Sequence, residues 1–288
     1  MIWVVGDKGM LGREICEQLA MNGIEFTGSD REVDITDQLS IENFAKRMEL
    51  EWIINCAAYT AVDLAEKEAD IAERINSTGA ENLGLYAEKR GAKIVHFSTD
   101  YVFDGTKREP YVETDTPNPQ SVYGRTKLDG ELRLMKAAAR YFIIRIAWLY
   151  GPFGKNFAAT MLRLFGEKDV LTVVADQTGT PTYTRTLAEN IVLMVLSATD
   201  KYGIYHYTDG GVTTWHGFAN EIYRLAEEAG LLKHEVEIKP IPAKDYPTPA
   251  KRPAYSVLSK DKVTSALGFA VNDWKDNLKH YFTRLDIK

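Results

Sequence analysis

An α/β architecture, with a doubly wound parallel sheet in front of a smaller α+β lobe, is predicted by three observations. Short β-branched runs alternate with longer helical patterns through the first half of the chain. Most of those runs are continuously apolar, and two clusters of proline interrupt the remainder. Strands covered by helices on both faces carry unbroken apolar runs, and strand–helix alternation winds into a right-handed parallel sheet. Strands are expected at 2–5, 25–27, 52–55, 94–98 and 142–147, with helices at 10–21, 39–48, 65–89 and 121–138. Beyond residue 150 the texture changes. Helices are expected at 157–165, 185–196, 215–228 and 272–285, with short strands near 171–174 and 204–207. The expected division is 1–150 for the sheet and 151–288 for the lobe, the helix near 185–196 returning to the first part. Pro110, Pro117 and Pro119, and then Pro240, Pro242, Pro247, Pro249 and Pro253, deny the backbone a regular element, so both stretches read as long surface loops.

Composition narrows the class. Of 288 residues, 45% are hydrophobic and 26% charged, as in ordinary globular proteins. Thirty-five basic against 41 acidic residues leave a net charge of −6, which argues against a broad basic surface for nucleic acid. Cys16 and Cys56 cannot build a disulfide framework. His96, His206, His216, His234 and His280 fall in no metal-binding pattern. No apolar stretch approaches the ~20 residues that span a bilayer, and the amino-terminal MIWVVG is too short for a signal peptide. A cytoplasmic protein without a membrane partner is expected, and the Asn76-Ser77-Thr78 sequon reads as accidental.

The segment Gly6-Asp7-Lys8-Gly9-Met10-Leu11-Gly12 joins the first strand to the first helix with GxxGxxG spacing. Gly6 allows the tight turn, Gly9 lets a pyrophosphate approach, and Gly12 lets the helix pack close to the strand. The helix N-terminus adds unpaired N–H groups and partial positive charge. Such a loop at the head of a chain of βα units predicts a Rossmann-type dinucleotide fold. Some 20 residues on, Asp30 and Arg31 stand at the end of the second strand. An acid there holds ribose hydroxyls and an arginine accommodates a 2′-phosphate, so both NADH and NADPH stay open.

Tyr123 and Lys127 lie four apart, on one face of the helix after the fourth strand, and no other of the fifteen tyrosines has lysine at that spacing. The fourth strand ends at Ser98-Thr99-Asp100-Tyr101, where a parallel strand opens onto the ligand crevice. Thr99 there can donate to a carbonyl oxygen, or cap a turn. Lys127 can lower the Tyr123 pKa by charge and make the phenol a working acid. Together these residues favour carbonyl–alcohol redox chemistry.

These motifs resemble the extended short-chain dehydrogenase/reductases. Ala57-Ala58-Tyr59-Thr60-Ala61-Val62-Asp63, Ser98-Thr99-Asp100-Tyr101-Val102-Phe103-Asp104-Gly105, Trp148-Leu149-Tyr150-Gly151, Asp176-Gln177-x-Gly179-x-Pro181-Thr182 and Arg252-Pro253-x-x-Ser256 narrow the resemblance to the dTDP-4-dehydrorhamnose reductases, over essentially the whole chain. The resemblance implies hydride transfer from NADPH or NADH to C4 of a dTDP-4-keto-6-deoxyhexose, giving dTDP-L-rhamnose for polysaccharide biosynthesis. It implies that Tyr123 gives the proton, Lys127 binds the nicotinamide ribose and Thr99 steadies the keto oxygen. Gly6, Gly9, Met10, Leu11 and Gly12 would hold pyrophosphate, Asp30 and Arg31 the adenosine ribose, and Asp34 and Ile35 the adenine. Cys56, Ala57, Ala58 and Tyr59 would line the cofactor channel. Asp100, Tyr101, Trp148, Asn156, Gln177, Thr182 and Arg252 would meet sugar or nucleotide, while Lys244 and Lys251 read as solvated. Where the family commonly has Thr-Ser before the tryptophan, this chain has Ile146-Ala147. Trp215, Phe218 and Tyr223 read as core. The resemblance also admits Mg2+ at Glu14 and Glu17, although solvated first-turn carboxylates are the expectation. A monomer or homodimer is expected. Two alternatives share the motifs: a non-catalytic dinucleotide-binding regulatory subunit, and a nucleotide-sugar epimerase or 4,6-dehydratase. The dehydratase would want a second carboxylate where Tyr101 stands.

Overall fold

The computed structural model describes residues 1–285. In chain order it runs β1 (Ile2–Val5), α1 (Met10–Met21), β2 (Phe26–Ser29), α2 (Gln38–Ala45), β3 (Trp52–Asn55), α3 (Val62–Ala65), α4 (Ala69–Glu73), α5 (Gly79–Arg90), β4 (Lys93–Thr99), α6 (Val122–Ala137) and β5 (Tyr141–Ile146). There follow β6 (Leu149–Tyr150), α7 (Phe157–Phe165), β7 (Val170–Val174), β8 (Thr178–Gly179), β9 (Thr182–Tyr183), α8 (Thr184–Leu196) and β10 (Gly203–His206). Last come β11 (Thr213–Thr214), α9 (Trp215–Glu228), β12 (Glu237–Ile241), α10 (Asp261–Leu267) and α11 (Trp274–Thr283).

The main sheet has six parallel strands in the order β10-β5-β4-β3-β1-β2. Its apolar runs divide by a period of two. Ile2, Val4, Ile54, Val95 and Phe142 pack with Ile15 and Leu19 of α1 and Leu187, Ile191 and Val195 of α8. Trp3, Val5, Ile53, Ile94 and Ile143 pack with Ile41 of α2, Leu83 and Tyr86 of α5 and Leu134 of α6. Each fully buried side chain of this kind stabilises the sheet by about 1.5–3 kcal/mol, so neither face can lose its helices. A third core, around Tyr150, Phe165, Phe218, Ile222 and Tyr281, holds the later elements together.

Four expectations need correction. The helix expected at 65–89 is broken into α3, α4, a π-turn at Arg74–Thr78 and α5. The bulge turns Asn76 toward its neighbours: its Oδ1 accepts from the Tyr59 amide at 2.8 Å and its Nδ2 donates to Thr126 Oγ1 at 3.0 Å. Residues 237–241, inside the second proline cluster, form β12 alongside β7. Glu237 N–H donates to the Asp169 carbonyl, so with period two the nitrogen of Pro240 points away from β7, where no donor is needed. The strand near 204–207 belongs to the main sheet as its edge, beside β5, so a strand as well as the helix near 185–196 returns from the later half. Glu14 is fully buried and not solvated: it pairs with Arg284 and, at 3.7 Å, with Arg185, while Glu17 accepts from Arg284 at 2.8 Å. Among the described residues no group of three or more His, Cys, Asp or Glu could hold a metal ion. No helix among them is long and apolar enough to cross a membrane.

Candidate active site

The strand order reverses between β1 and β3, and the crevice outside their carboxyl ends is where an open α/β sheet receives a ligand. Gly6 turns the chain there with φ +78°, and a Cβ on it would come within 2.8 Å of the Ala57 nitrogen. A Cβ on Gly12 would lie 2.1 Å from the Gly6 carbonyl, so only glycine lets α1 start this close to β1. Gly9, the N-cap of α1, offers no side chain to the first-turn amides, which leaves them free for an anion.

Two cavities meet at Gly9, Cys56, Ala58 and Thr60. One, of about 680 Å³, is lined by Gly6, Asp30, Arg31, Asp34, Ile35, Ala57 and Tyr59. The other, of about 580 Å³, is lined by Met10, Leu11, Thr99, Asp100, Tyr101, Tyr123, Lys127 and Trp148. All the expected loop and strand-end residues other than Gly12 thus face one continuous depression. A third cavity of about 330 Å³, between α7, β7 and α9, takes Gln177, Arg252, Trp215 and Tyr246.

α6 carries the tyrosine and lysine. Ser121 caps it, its Oγ accepting from the Gly124 amide at 3.2 Å, and Glu66 Oε1 takes the Val122 amide at 2.7 Å. Gly124 lets this helix approach the turn after β4, for a Cβ there would meet the Tyr101 carbonyl at 2.3 Å. The ring of Tyr123 stands edge-on to that of Tyr101, centroids 5.5 Å apart. Burial pushes the Tyr123 phenol up, against a Thr99 hydrogen bond that lowers it, so the group holds its proton at neutral pH. This differs from the expected lowering by Lys127. The lysine is buried, donates to the Phe97 carbonyl at 2.7 Å and lies 3.2 Å from His96 Nε2, and desolvation brings it down to about 8. At Lys127 desolvation outweighs the opposing charge of Glu131.

Thr99 caps the turn after β4, one of its two expected uses. Its Oγ1 accepts from the Tyr101 amide at 3.2 Å and donates to Asp100 Oδ1 at 3.0 Å. Asp100 is pushed up to about 6 by burial, against hydrogen bonds from Ser256 and Thr99.

Two expected substrate contacts lie elsewhere. Asn156 caps α7, accepting from Ala159 N at 3.0 Å and donating to the Gly151 carbonyl at 2.8 Å. Thr182 is wholly buried and donates to the Ala147 carbonyl at 2.5 Å. Neither lines any of the three cavities. Both hydrogen-bond the backbone that carries Trp148, whose φ of +47° is rare for a side chain of this size. Trp148 stacks on Trp215 at 3.6 Å between centroids, so Trp215, expected in the core, is a half-buried cavity wall. Its helical spacing with Phe218 concealed that. Arg252 donates to Tyr101 Oη at 2.9 Å and to Asp63 Oδ2 at 2.8 Å, binding the late loop to the turn after β4.

Comparison with known proteins adds the family. The family described as RmlD substrate binding domain matches residues 1–287. The chain belongs to this family. A dTDP-4-dehydrorhamnose reductase of Aggregatibacter actinomycetemcomitans is 39% identical over 283 residues, covering 96% of each chain. The crystal structure of a dTDP-4-dehydrorhamnose reductase from Clostridium acetobutylicum is 43% identical, with a TM-score of 0.92 over 98% of both chains. That of Bacillus anthracis, in complex with NADP, is 36% identical with a TM-score of 0.91 over 98% of both chains. A UDP-glucose 4-epimerase of Thermotoga maritima, 22% identical with a TM-score of 0.81, shares the fold alone. Within the RmlD family, then, the glycine loop, Thr99, Tyr123 and Lys127 of this chain converge on one crevice.

Proposed function

We propose that this protein reduces the 4-keto group of dTDP-4-dehydro-L-rhamnose with NADPH or NADH, giving dTDP-L-rhamnose. The observation that carries the reading is the shared cavity: the open amides of α1, Thr99, Tyr123, Lys127 and Trp148 all face it. Residues 1–150 would serve the cofactor and most of the remainder the sugar nucleotide.

The chain fits a nicotinamide dinucleotide. The Gly6–Gly12 approach leaves backbone where phosphates need it, and the 680 Å³ cavity runs from that turn to Asp30 and Arg31. When bound, the dihydronicotinamide supplies the hydride. Tyr123, protonated and buried against Tyr101, donates its proton to the oxygen that becomes the alcohol. Lys127 orients the nicotinamide ribose and offsets the negative charge left on the phenol. Thr99, whose hydrogen bonding favours the ionised Tyr123 phenol, would steady the keto oxygen beside it. Trp148 and Trp215 present a stacked apolar wall to the sugar, and Gln177 and Arg252 reach the nucleotide end. Arg31 makes no ion pair among the described residues and is free for the 2′-phosphate of NADPH.

The test is direct. Incubation with dTDP-4-dehydro-L-rhamnose should oxidise NADPH or NADH, followed by absorbance, and yield dTDP-L-rhamnose. Loss of neither cofactor would overturn the reading and favour a dinucleotide-binding subunit without turnover.

A further inference from the structure

We infer that Asn55 and His96 are positioning residues that hold the imidazole proton on Nε2, against Lys127, and so set the alkaline limit of the reaction by favouring the amine form of that lysine. The inference deepens the reductase reading and rests on it.

The register of β3 and β4 sets Asn55 directly beside His96. Ala57 N–H donates to Asn55 Oδ1 at 3.0 Å, which fixes which way the side-chain amide points. Its Nδ2 therefore faces His96 Nδ1, at 2.9 Å. An amide nitrogen can only donate, so Nδ1 must accept, and a neutral imidazole then carries its proton on Nε2. Nε2 lies 3.2 Å from Lys127 Nζ, whose other contact is the Phe97 carbonyl at 2.7 Å. Against an ammonium, that Nε2–H is donor facing donor. Against an amine it is a hydrogen bond. Asn55, His96 and Lys127 are each 1% exposed, so solvent does not relieve the conflict.

The remaining groups around Lys127 do not reverse the balance. On its own helix are Tyr123, which holds its proton, and Glu131, which Arg145 of β5 engages through two hydrogen bonds of 2.9 and 2.7 Å. Asp100 follows β4 and accepts from Thr99, and the Cys56 thiol after β3 is held neutral by burial. Desolvation, with the charge of Lys127, keeps His96 well below its ordinary range, so its ring is neutral. Lys127 itself is brought down by burial to about 8.

The experiment needs the full chain labelled with 15N-histidine. Long-range proton–nitrogen spectra read each ring's tautomer, and His96→Gln identifies the His96 signals by their loss. The parent should show Nε2–H at neutral pH. An Nδ1–H ring overturns the inference whatever the activity. Asn55→Asp retains an acceptor for the Ala57 amide but also accepts from Nδ1, leaving Nε2 a lone pair for the ammonium. That variant should show Nδ1–H, and the alkaline limb of its kcat/KM profile should move up by about 1 pH unit. The Lys127 titration, read from 13Cε shifts, should move the same way without any turnover. A limb and a titration that both stay put in the folded variant overturn the inference. Failure of the parent to oxidise cofactor would instead overturn the reductase reading, with the tautomer result deciding the hydrogen-bond network separately.

Discussion

The two walls of the site are made by opposite means. On the sheet side the wall is mostly backbone: Gly6, Gly9, Ala57 and Ala58 stand at strand ends whose positions follow from a parallel ladder packed on both faces. On the lobe side it is side chain: Trp148, Trp215, Gln177 and Arg252 come from loops and helix starts far apart in sequence, joined by strands of two residues. A backbone wall recognises what all dinucleotides share, whereas a side-chain wall can be tuned to one sugar nucleotide. Perturbing the sheet side should therefore change turnover or cofactor choice, and perturbing the lobe should change substrate affinity.

The largest effect is expected at the chemistry itself. Tyr123→Phe removes the proton donor while leaving the ring that packs on Tyr101. Turnover should fall by roughly 10²–10⁴, with cofactor affinity measured by fluorescence titration unchanged. An unaltered kcat would assign the proton to another group. On the opposite wall, Trp215→Ala removes the ring stacked on Trp148. An aromatic pair contributes about 0.5–1.5 kcal/mol beyond its buried area, so KM for the sugar nucleotide should rise by roughly 2- to 12-fold. KM for the nicotinamide cofactor should not move. Equal effects on both constants would erase the division between the walls.

Buried carboxylates give the comparison a second form. Glu131, behind the sheet-side wall, is matched by Arg145 at 2.7 Å. Asp209, just after β10, makes no ion pair among the described residues: one oxygen accepts from the Tyr183 amide at 3.2 Å and the other has no hydrogen-bond partner among them. Burial pushes Asp209 up to about 8, against an ordinary value of about 3.9 in the unfolded chain. Between those two values the unfolded chain releases this proton and the folded chain keeps it. Stability from this group is therefore full at the acid end and declines as pH rises towards 8. Asp209→Asn abolishes that dependence. Its Tm relative to the parent should rise between pH 5 and 9, by about 2–4 °C for each kcal/mol of relief. A constant difference across that range would mean Asp209 is ionised when folded.

What could be read from the sequence follows the same divide. Most of the sheet's strands announce themselves because they are apolar on both faces, and Thr99, Tyr123 and Lys127 sit at positions that the order of elements alone brings to one crevice. The π-turn at Arg74–Thr78 left no signal, because its cause is the reach of Asn76 to Tyr59 and Thr126 across the fold. β12 was hidden by Pro240, whose tolerance depends on which side of the strand its partner lies. Asn156 and Thr182 are polar residues among recognisable motifs, yet both serve the backbone; a list of side chains cannot tell a cap from a contact. Trp215 shows the reverse error, for helical spacing marks a buried face without saying whether a cavity opens beside it. The pairing of Asn55 with His96 needs the strand register, which no local pattern supplies.

The smallest effect expected is at the far end of the sheet-side wall, where its backbone gives way to side chains. Arg31 is exposed at the end of β2 and lines the same cavity as Asp30, whose carboxylate favours ribose hydroxyls over a phosphate. The two side chains thus pull cofactor choice in opposite directions. Because Arg31 is exposed, its attraction for a 2′-phosphate is screened, and exposed ion pairs contribute about 0.2–1 kcal/mol. Arg31→Ala should accordingly lower kcat/KM with NADPH by roughly 1.5- to 5-fold and leave the value with NADH unchanged. The loss should shrink at high salt, since the interaction is one of solvated charges. If the NADPH/NADH ratio does not move, or moves equally at all ionic strengths, cofactor choice is made by the backbone wall and not by this side chain.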